Sequence, residues 1–227
     1  MKIIIFGLGN FGASLGSILT DLGHEVLGVD SNLHKVETHR SKITNTICLD
    51  ATDAFAMATL PLKEADLVVV AIGDDFGGSV MITALLKQKK MKRLITRSTS
   101  PVHESVFTAL GVDEILHPEL EAAERLAQRI STPGLVESYS IGQEHQLLEL
   151  VVPKRYVGVK VAELNLKDRF QINLVTIIKR GNQHAGQAGL QPLGSCSDFV
   201  YQGTTLEESD VLVLFGKKSN LKKFLGE

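Results

Sequence analysis

The sequence predicts an α/β fold, a Rossmann-like doubly wound parallel sheet followed by a small α+β domain. Three observations carry that prediction. Short β-branched apolar runs alternate with longer helical patterns from residue 1 to about 132. The loop GLGNFG at 7–12 joins the first run to the first helical pattern. After STPG at 131–134 the text changes to isolated strands with no long helix.

The predicted strands of the first part are KIIIF (2–6), EVLGVD (25–30), TICL (46–49), LVVVAI (67–72), RLITR (93–97) and VDEIL (112–116). Between the first two, Phe11, Leu15, Ile18, Leu19 and Leu22 recur at helical spacing, and Gly23 stands where a C-terminal cap belongs. Later helices are expected over 31–40, 53–60, 76–90, 101–110 and 118–130, the last two opening on proline. Residues 133–227 offer strands in HQLLELVVP, QINLVTIIKRG and DVLVLFG, then a short closing helix in SNLKKFL. Residues 182–205, rich in Gly, Gln and Ser, read as a long loop. The domains expected are 1–132 and 133–227.

A hydrophobic fraction of 44% and a charged fraction of 22% describe an ordinary globular protein. Residues 1–132 hold 13 basic and 16 acidic side chains, the remainder 11 and 10, and the net charge is −2. No basic surface is indicated that would release counterions from a phosphate backbone, so a nucleic-acid partner is not expected. No window approaches the ~20 apolar residues of a membrane span, and the start offers no charged-then-apolar leader, so a cytoplasmic chain is expected. Cys48 and Cys196, the two cysteines, suggest neither a disulfide nor a metal pair, and the seven histidines lack ligand spacing.

GLGNFG follows a strand, opens a helix, and is followed eighteen residues after Gly12 by Asp30 at the end of the second strand. In such a loop Gly7 makes the tight turn, Gly9 lets the backbone approach a diphosphate, and Gly12 allows close helix–strand packing. The helix N-terminus offers unpaired N–H groups to phosphate, and a carboxylate at Asp30 can accept ribose hydroxyls. Asp50 and Ala51 follow the third strand, where Asp50 could face an adenine or ribose or cap the next helix. Asp74 and Asp75, after the fourth strand, read as a solvated acidic turn rather than a metal site. Gly12-Ala13-Ser14-Leu15-Gly16 matches a hydrolase expression, but Ser14 falls inside a helix and not on a strand-to-helix elbow. Lys217, Lys218, Lys222 and Lys223 read as a solvated chain end that compensates the helix dipole, with anionic lipid contact the lesser reading.

With those residues placed, the chain resembles the RCK (KTN) proteins of the TrkA and KtrA type, cytosolic regulators of bacterial potassium transporters. The resemblance rests on GLGNFG, GHEVLGVD, LDATD, VVVAIGDDFGGSV, ALGVDEILHPE and the closing pair INLVTIIKRG and GTTLEESDVLVLFGKKSNLKKFL. It implies an RCK-N domain that binds NAD(H), ATP or ADP as a regulatory ligand, an RCK-C (TrkA-C) domain, and no enzymatic activity. It also implies homodimers assembled into a tetramer or octameric ring beneath a membrane-embedded potassium transporter subunit of the TrkH or KtrB kind, which would hold the chain at the inner face of the membrane. Carried over, Gly7, Leu8, Gly9, Asn10, Phe11 and Gly12 hold the diphosphate, Asp30 the ribose, and Asp50 and Ala51 the adenine side. Ala71, Ile72 and Gly73 border the nucleotide, Arg97 lies beside the phosphates, and Glu119 offers a carboxylate to a divalent cation. Asn10 departs from the arginine often found there, which leaves the choice between ATP and ADP open and keeps NAD(H) in play. The cyclic di-AMP groove of some relatives is not carried over, because residues 182–205 interrupt it. The alternative is an NAD-dependent oxidoreductase with a small C-terminal domain; a third class is an oligomerisation module with a vestigial nucleotide site.

Overall fold

The computed structural model describes residues 1–179, 195–196 and 200–226. It divides into two compact units, Met1–Leu120 and Glu121–Glu227.

The first unit runs β1 (Lys2–Phe6), α1 (Asn10–Asp21), β2 (Glu25–Asp30), α2 (Leu33–His39), β3 (Asn45–Cys48), α3 (Ala54–Ala58), β4 (Leu67–Val70), α4 (Phe76–Gln88), β5 (Leu94–Arg97), α5 (Pro101–Leu110) and β6 (Glu114–Leu116). Helix α6 (Pro118–Ser131) crosses the division between the units. The six strands are parallel in the order β3-β2-β1-β4-β5-β6. The order reverses beside β1, so the loops leaving β1 and β4 diverge and open a crevice at the carboxyl ends of the strands.

Period-two alternation divides β1 between two cores. Ile3 and Ile5 pack with Val26, Val36, Ile43 and Val69 on one face, while Ile4 and Phe6 pack with Met57, Val68, Ile82 and Leu86 on the other. Each of these side chains contributes about 1.5–3 kcal/mol by leaving water. On α1 the expected apolar face is shifted. Ile18 and Leu22 are exposed, and the buried residues are Gly12, Ala13 and Gly16, with Phe11, Leu15 and Leu19 packed alongside. Small residues win the central position because the helix lies close to the sheet: a Cβ on Gly16 would stand 2.9 Å from Ile43 Cδ1.

The second unit holds β7 (Leu135–Ile141), β8 (His145–Val151), α7 (Val161–Leu164), α8 (Leu166–Phe170), β9 (Asn173–Lys179), β10 (Ser195–Cys196), β11 (Val211–Lys217) and α9 (Lys218–Leu225). Its strands are antiparallel in the order β10-β9-β11-β8-β7. Leu148, Leu150, Leu212 and Leu214 form the core with Leu221 and Phe224 of α9. Three elements escaped the sequence reading. β7 is a half-buried edge strand, α7 and α8 are single turns, and none shows a sustained period. STPG forms a tight turn, in which Leu135 N–H donates to Thr132 O at 3.1 Å. Within the expected 182–205 loop, Ser195–Cys196 pairs with Lys179 and Ile178 of β9, a correction that two residues could not announce by pattern. Residues 182–194 and 197–199 of that loop lie outside the described residues.

His103 of α5 is fully buried between the rings of Phe76 and Phe107, at centroid distances of 4.7 and 4.2 Å, with Nε2 3.2 Å from Ser79 Oγ. Burial lowers its pKa below the ordinary 6.5 because the charged ring would lose its hydration. The unfolded chain therefore takes up this proton first, and stability falls as pH drops below 6.5. In urea unfolding at a series of pH values, His103→Gln is expected to flatten the acid limb relative to the unsubstituted chain; equal slopes would refute the assignment.

Candidate nucleotide site

The site begins where β1 ends. Gly7 N–H donates to Val29 O at 2.8 Å, and φ at Gly7 is +94°, a conformation that favours glycine. The turn brings Gly12 under the Gly7 carbonyl so closely that a Cβ on residue 12 would lie 2.0 Å from that oxygen. At Gly9 the opposite holds, since an added Cβ would meet no atom within 4 Å. The first and third glycines are thus demanded by the protein's own backbone, whereas the second faces open space.

Helix α1 starts at Asn10 with Gly9 as its cap residue and no side chain bonding its first N–H groups. The next four helices are capped differently. Asn32, Asp53, Asp75 and Ser100 each accept a backbone N–H at the start of α2, α3, α4 and α5. The first turn of α1 therefore keeps its donors and the positive end of its dipole free for an anion.

Asp30 closes the arrangement from β2. Its Oδ2 accepts Leu8 N–H at 2.7 Å and its Oδ1 accepts Asn32 N–H at 2.8 Å, which ties the glycine loop to the end of the second strand. Lys35 Nζ stands 4.0 Å from Oδ2. Asp50 Oδ1 accepts the Thr52 hydroxyl at 2.6 Å and Thr52 N–H at 3.0 Å, and these bonds hold its carboxyl below the usual range. The helix-capping role weighed for Asp50 belongs to Asp53, which accepts Phe55 N–H at 2.8 Å.

A cavity of about 330 Å³ joins these groups at the carboxyl edge of the sheet. Of the residues expected from the sequence, Gly7, Gly9, Asp30, Asp50, Ala51, Ala71, Ile72, Gly73 and Arg97 line it. Leu8, Asn10, Phe11 and Gly12 do not. Leu8 is buried in the core, Gly12 lies beneath the turn, Phe11 packs on the first core, and Asn10 is exposed at the helix start. Lys35, Asn32, Thr52 and Asp75 line it unannounced by the glycine motif. Lys35 carried a usable signal, since it lies in the first turn of its helix, five residues after Asp30.

Arg97 brings a second cation to the cavity from the end of β5. Its guanidinium lies 5.9 Å from the Phe11 ring centre and packs on Gly73, where a Cβ would come within 2.8 Å of Cζ. It pairs through Nη2 with Glu119, and its buried Nε has no partner. Glu119, expected to offer a carboxylate to a divalent cation, is thus committed to Arg97. Among the described residues no three His, Cys, Asp or Glu side chains are grouped to hold a metal. Ser14 is exposed within α1, away from any strand-to-helix elbow.

The family model of the TrkA-N domain matches residues 3–118. The chain belongs to the TrkA-N family. Along its whole length it is similar to the Ktr system potassium uptake protein C of Bacillus subtilis, 28% identical over 223 residues that cover 98% of this chain and 95% of the relative. The Ktr system potassium uptake protein A of the same organism is 28% identical over 226 residues, covering 100% and 96%. Among solved structures, the GsuK channel aligns over 100% of this TrkA-N chain and 39% of its own, with a TM-score of 0.68 and 20% identity. The GsuK channel bound to NAD aligns with a TM-score of 0.64 and 19% identity over the same shares. These likenesses establish the fold, a Rossmann-like parallel unit followed by a separate antiparallel one.

Two substitutions separate the roles of the glycines. Gly12→Ala forces the start of α1 off β1 and is expected to cost about 1–3 kcal/mol in chemical denaturation. Gly9→Ala is expected to fold with unchanged stability yet to weaken nucleotide binding in a calorimetric titration, because its methyl group meets only the ligand.

Proposed function

We propose that this chain is the nucleotide-binding regulatory subunit of a potassium uptake system, taking NAD(H), ATP or ADP as a regulatory ligand. The observation that carries the reading is the open N-terminus of α1, placed with Asp30 and Arg97 around one cavity in a chain of the TrkA-N family. In it the diphosphate meets the free N–H groups of the glycine loop and the guanidinium of Arg97. Asp30 takes the ribose, and Asp50 and Ala51 border the base. An acid at Asp30 disfavours a 2′-phosphate, so NAD(H) is favoured over its phosphorylated form.

Full-length similarity to Ktr potassium uptake proteins supports the partner: a membrane-embedded potassium transporter subunit that holds this chain at the inner face of the membrane. Among the described residues no helix is long and apolar enough to cross a membrane. Pairing into homodimers and then a ring is supported by α6, which buries no residue and exposes Leu120, Leu126 and Ile130. Regulation follows from differential affinity. A nucleotide that binds one ring geometry better shifts the population toward it, with about 1–3 kcal/mol of coupling typical. A divalent cation at Glu119 would share its carboxylate with Arg97, and no step is routed through one. The role is regulatory rather than enzymatic, and nothing in the comparisons supports the oxidoreductase alternative.

Titrating the protein with ATP, ADP and NADH by calorimetry is expected to give binding by at least one. Arg97→Ala is expected to weaken it by about tenfold or more, since a lost charged hydrogen bond costs about 1.5–3 kcal/mol. Absence of binding by all three would overturn the reading. Asn10→Arg places a cation at the first position of α1 and is expected to raise the preference for ATP over ADP.

A further inference from the structure

The second unit carries a charge asymmetry that nucleotide binding does not use. Residues 152–171 hold five basic and two acidic side chains, and residues 217–225 hold four basic and none acidic. Together they carry +7 in a chain whose total is −2, so the remaining residues carry −9.

The fold gathers these two stretches around one ring. Phe224 of α9 is fully buried, stacked on Tyr156 at 5.0 Å and met edge-on by Phe170 at 5.4 Å. Arg155 donates to Phe224 O and lies 4.9 Å from the Tyr156 ring centre, while Arg169 lies 5.2 Å from that of Phe170. Lys154 adjoins Arg155, Lys167 shares a single helical turn with Arg169, and Lys222 and Lys223 precede Phe224. All six cations are exposed, and none forms an ion pair with a described residue. Offsetting the dipole of α9 accounts for Lys222 and Lys223 but not for the four cations contributed by the other segment.

We propose that this patch is a docking surface for an anionic lipid bilayer. Two arginines are held by aromatic faces, and four lysines remain as flexible point charges, an arrangement suited to a fluid surface of phosphate headgroups rather than to one fixed carboxylate pattern. The ring stack presents the amphipathic Tyr156 at the same place, as membrane interfaces favour. The surface lies in the unit that does not hold the glycine loop, so the inference does not rest on the nucleotide reading.

The test is sedimentation of the full chain with phosphatidylcholine vesicles and with vesicles containing about 30% phosphatidylglycerol, at low and at physiological salt. Binding is expected to the acidic vesicles only and to fall as salt rises. Each basic residue beside an acidic leaflet tightens association about fivefold, so Lys222→Glu with Lys223→Glu is expected to weaken it at least twentyfold. Asp168→Asn, which removes the acid inside the patch, is expected to strengthen binding to the acidic vesicles while phosphatidylcholine vesicles stay unbound, a selectivity that apolar surface exposed by misfolding would not give. Equal sedimentation with both vesicle types, or unchanged binding in the double variant, overturns the proposal. So does binding to polyglutamate without binding to acidic vesicles, which would make the patch a protein-docking face.

Discussion

The first unit depends on a contact that leaves no room for a side chain. With the Gly7 carbonyl where a Cβ of residue 12 would sit, α1 can begin only directly on the end of β1. That seating brings Leu8 N–H to Asp30, buries Gly12, Ala13 and Gly16 against the sheet, and leaves the mouth above Gly9 open. The seating of α1 at the edge of the crevice and the direction of its dipole are two results of one steric demand. A larger residue at position 12 would disturb both together, whereas one at position 9 would disturb only what enters the mouth.

The second unit is organised by a different device. Its antiparallel sheet is closed by α9, whose Leu221 and Phe224 enter the core while its lysines stay in water. Phe224 does this in company with Tyr156 and Phe170, so residues far apart in the chain share one anchor. Asp210, almost wholly buried, accepts Lys179 Nζ at 2.7 Å and Glu207 N–H at 2.9 Å, which fixes the turn leading into β11. The interior of this unit is an aliphatic core joined by one ring stack and bordered by one satisfied carboxylate oxygen, and the cations around the stack are left on the outside.

The parallel unit was legible wherever a pattern ran long enough. KIIIF alternates between two cores, and PVHESVFTAL opens on proline and ends before Gly111 at φ +68°, so strand and helix can each be read from local chemistry. The face of α1 was not legible, because a stripe of glycine and alanine carries no hydrophobic signal and its importance appears only when the sheet approaches. β7 was missed because a half-buried edge strand shows no clean alternation, α7 and α8 for want of length, and β10 because two residues have no period. At the site, the glycines and Asp30 belong to a contiguous motif and could be found by spacing. Lys35 and Asp75 reach the cavity through where their helices start, and Arg97 and Glu119 meet because β5 and β6 are neighbours. The family resemblance supplied Arg97 and Glu119 before the fold did, yet it could not show that they pair with each other.

The uncapped start of α1 has a thermodynamic consequence. The other early helices carry their own acceptors, each worth about 1 kcal/mol, whereas α1 leaves that place to whatever anion arrives. Occupancy and folding are then linked through a common helix, and a ligand held at a hundred times its dissociation constant adds about 2.7 kcal/mol to the stability of the unit. The lifetime of this protein in a cell would in that way follow the size of the pool from which its ligand is drawn.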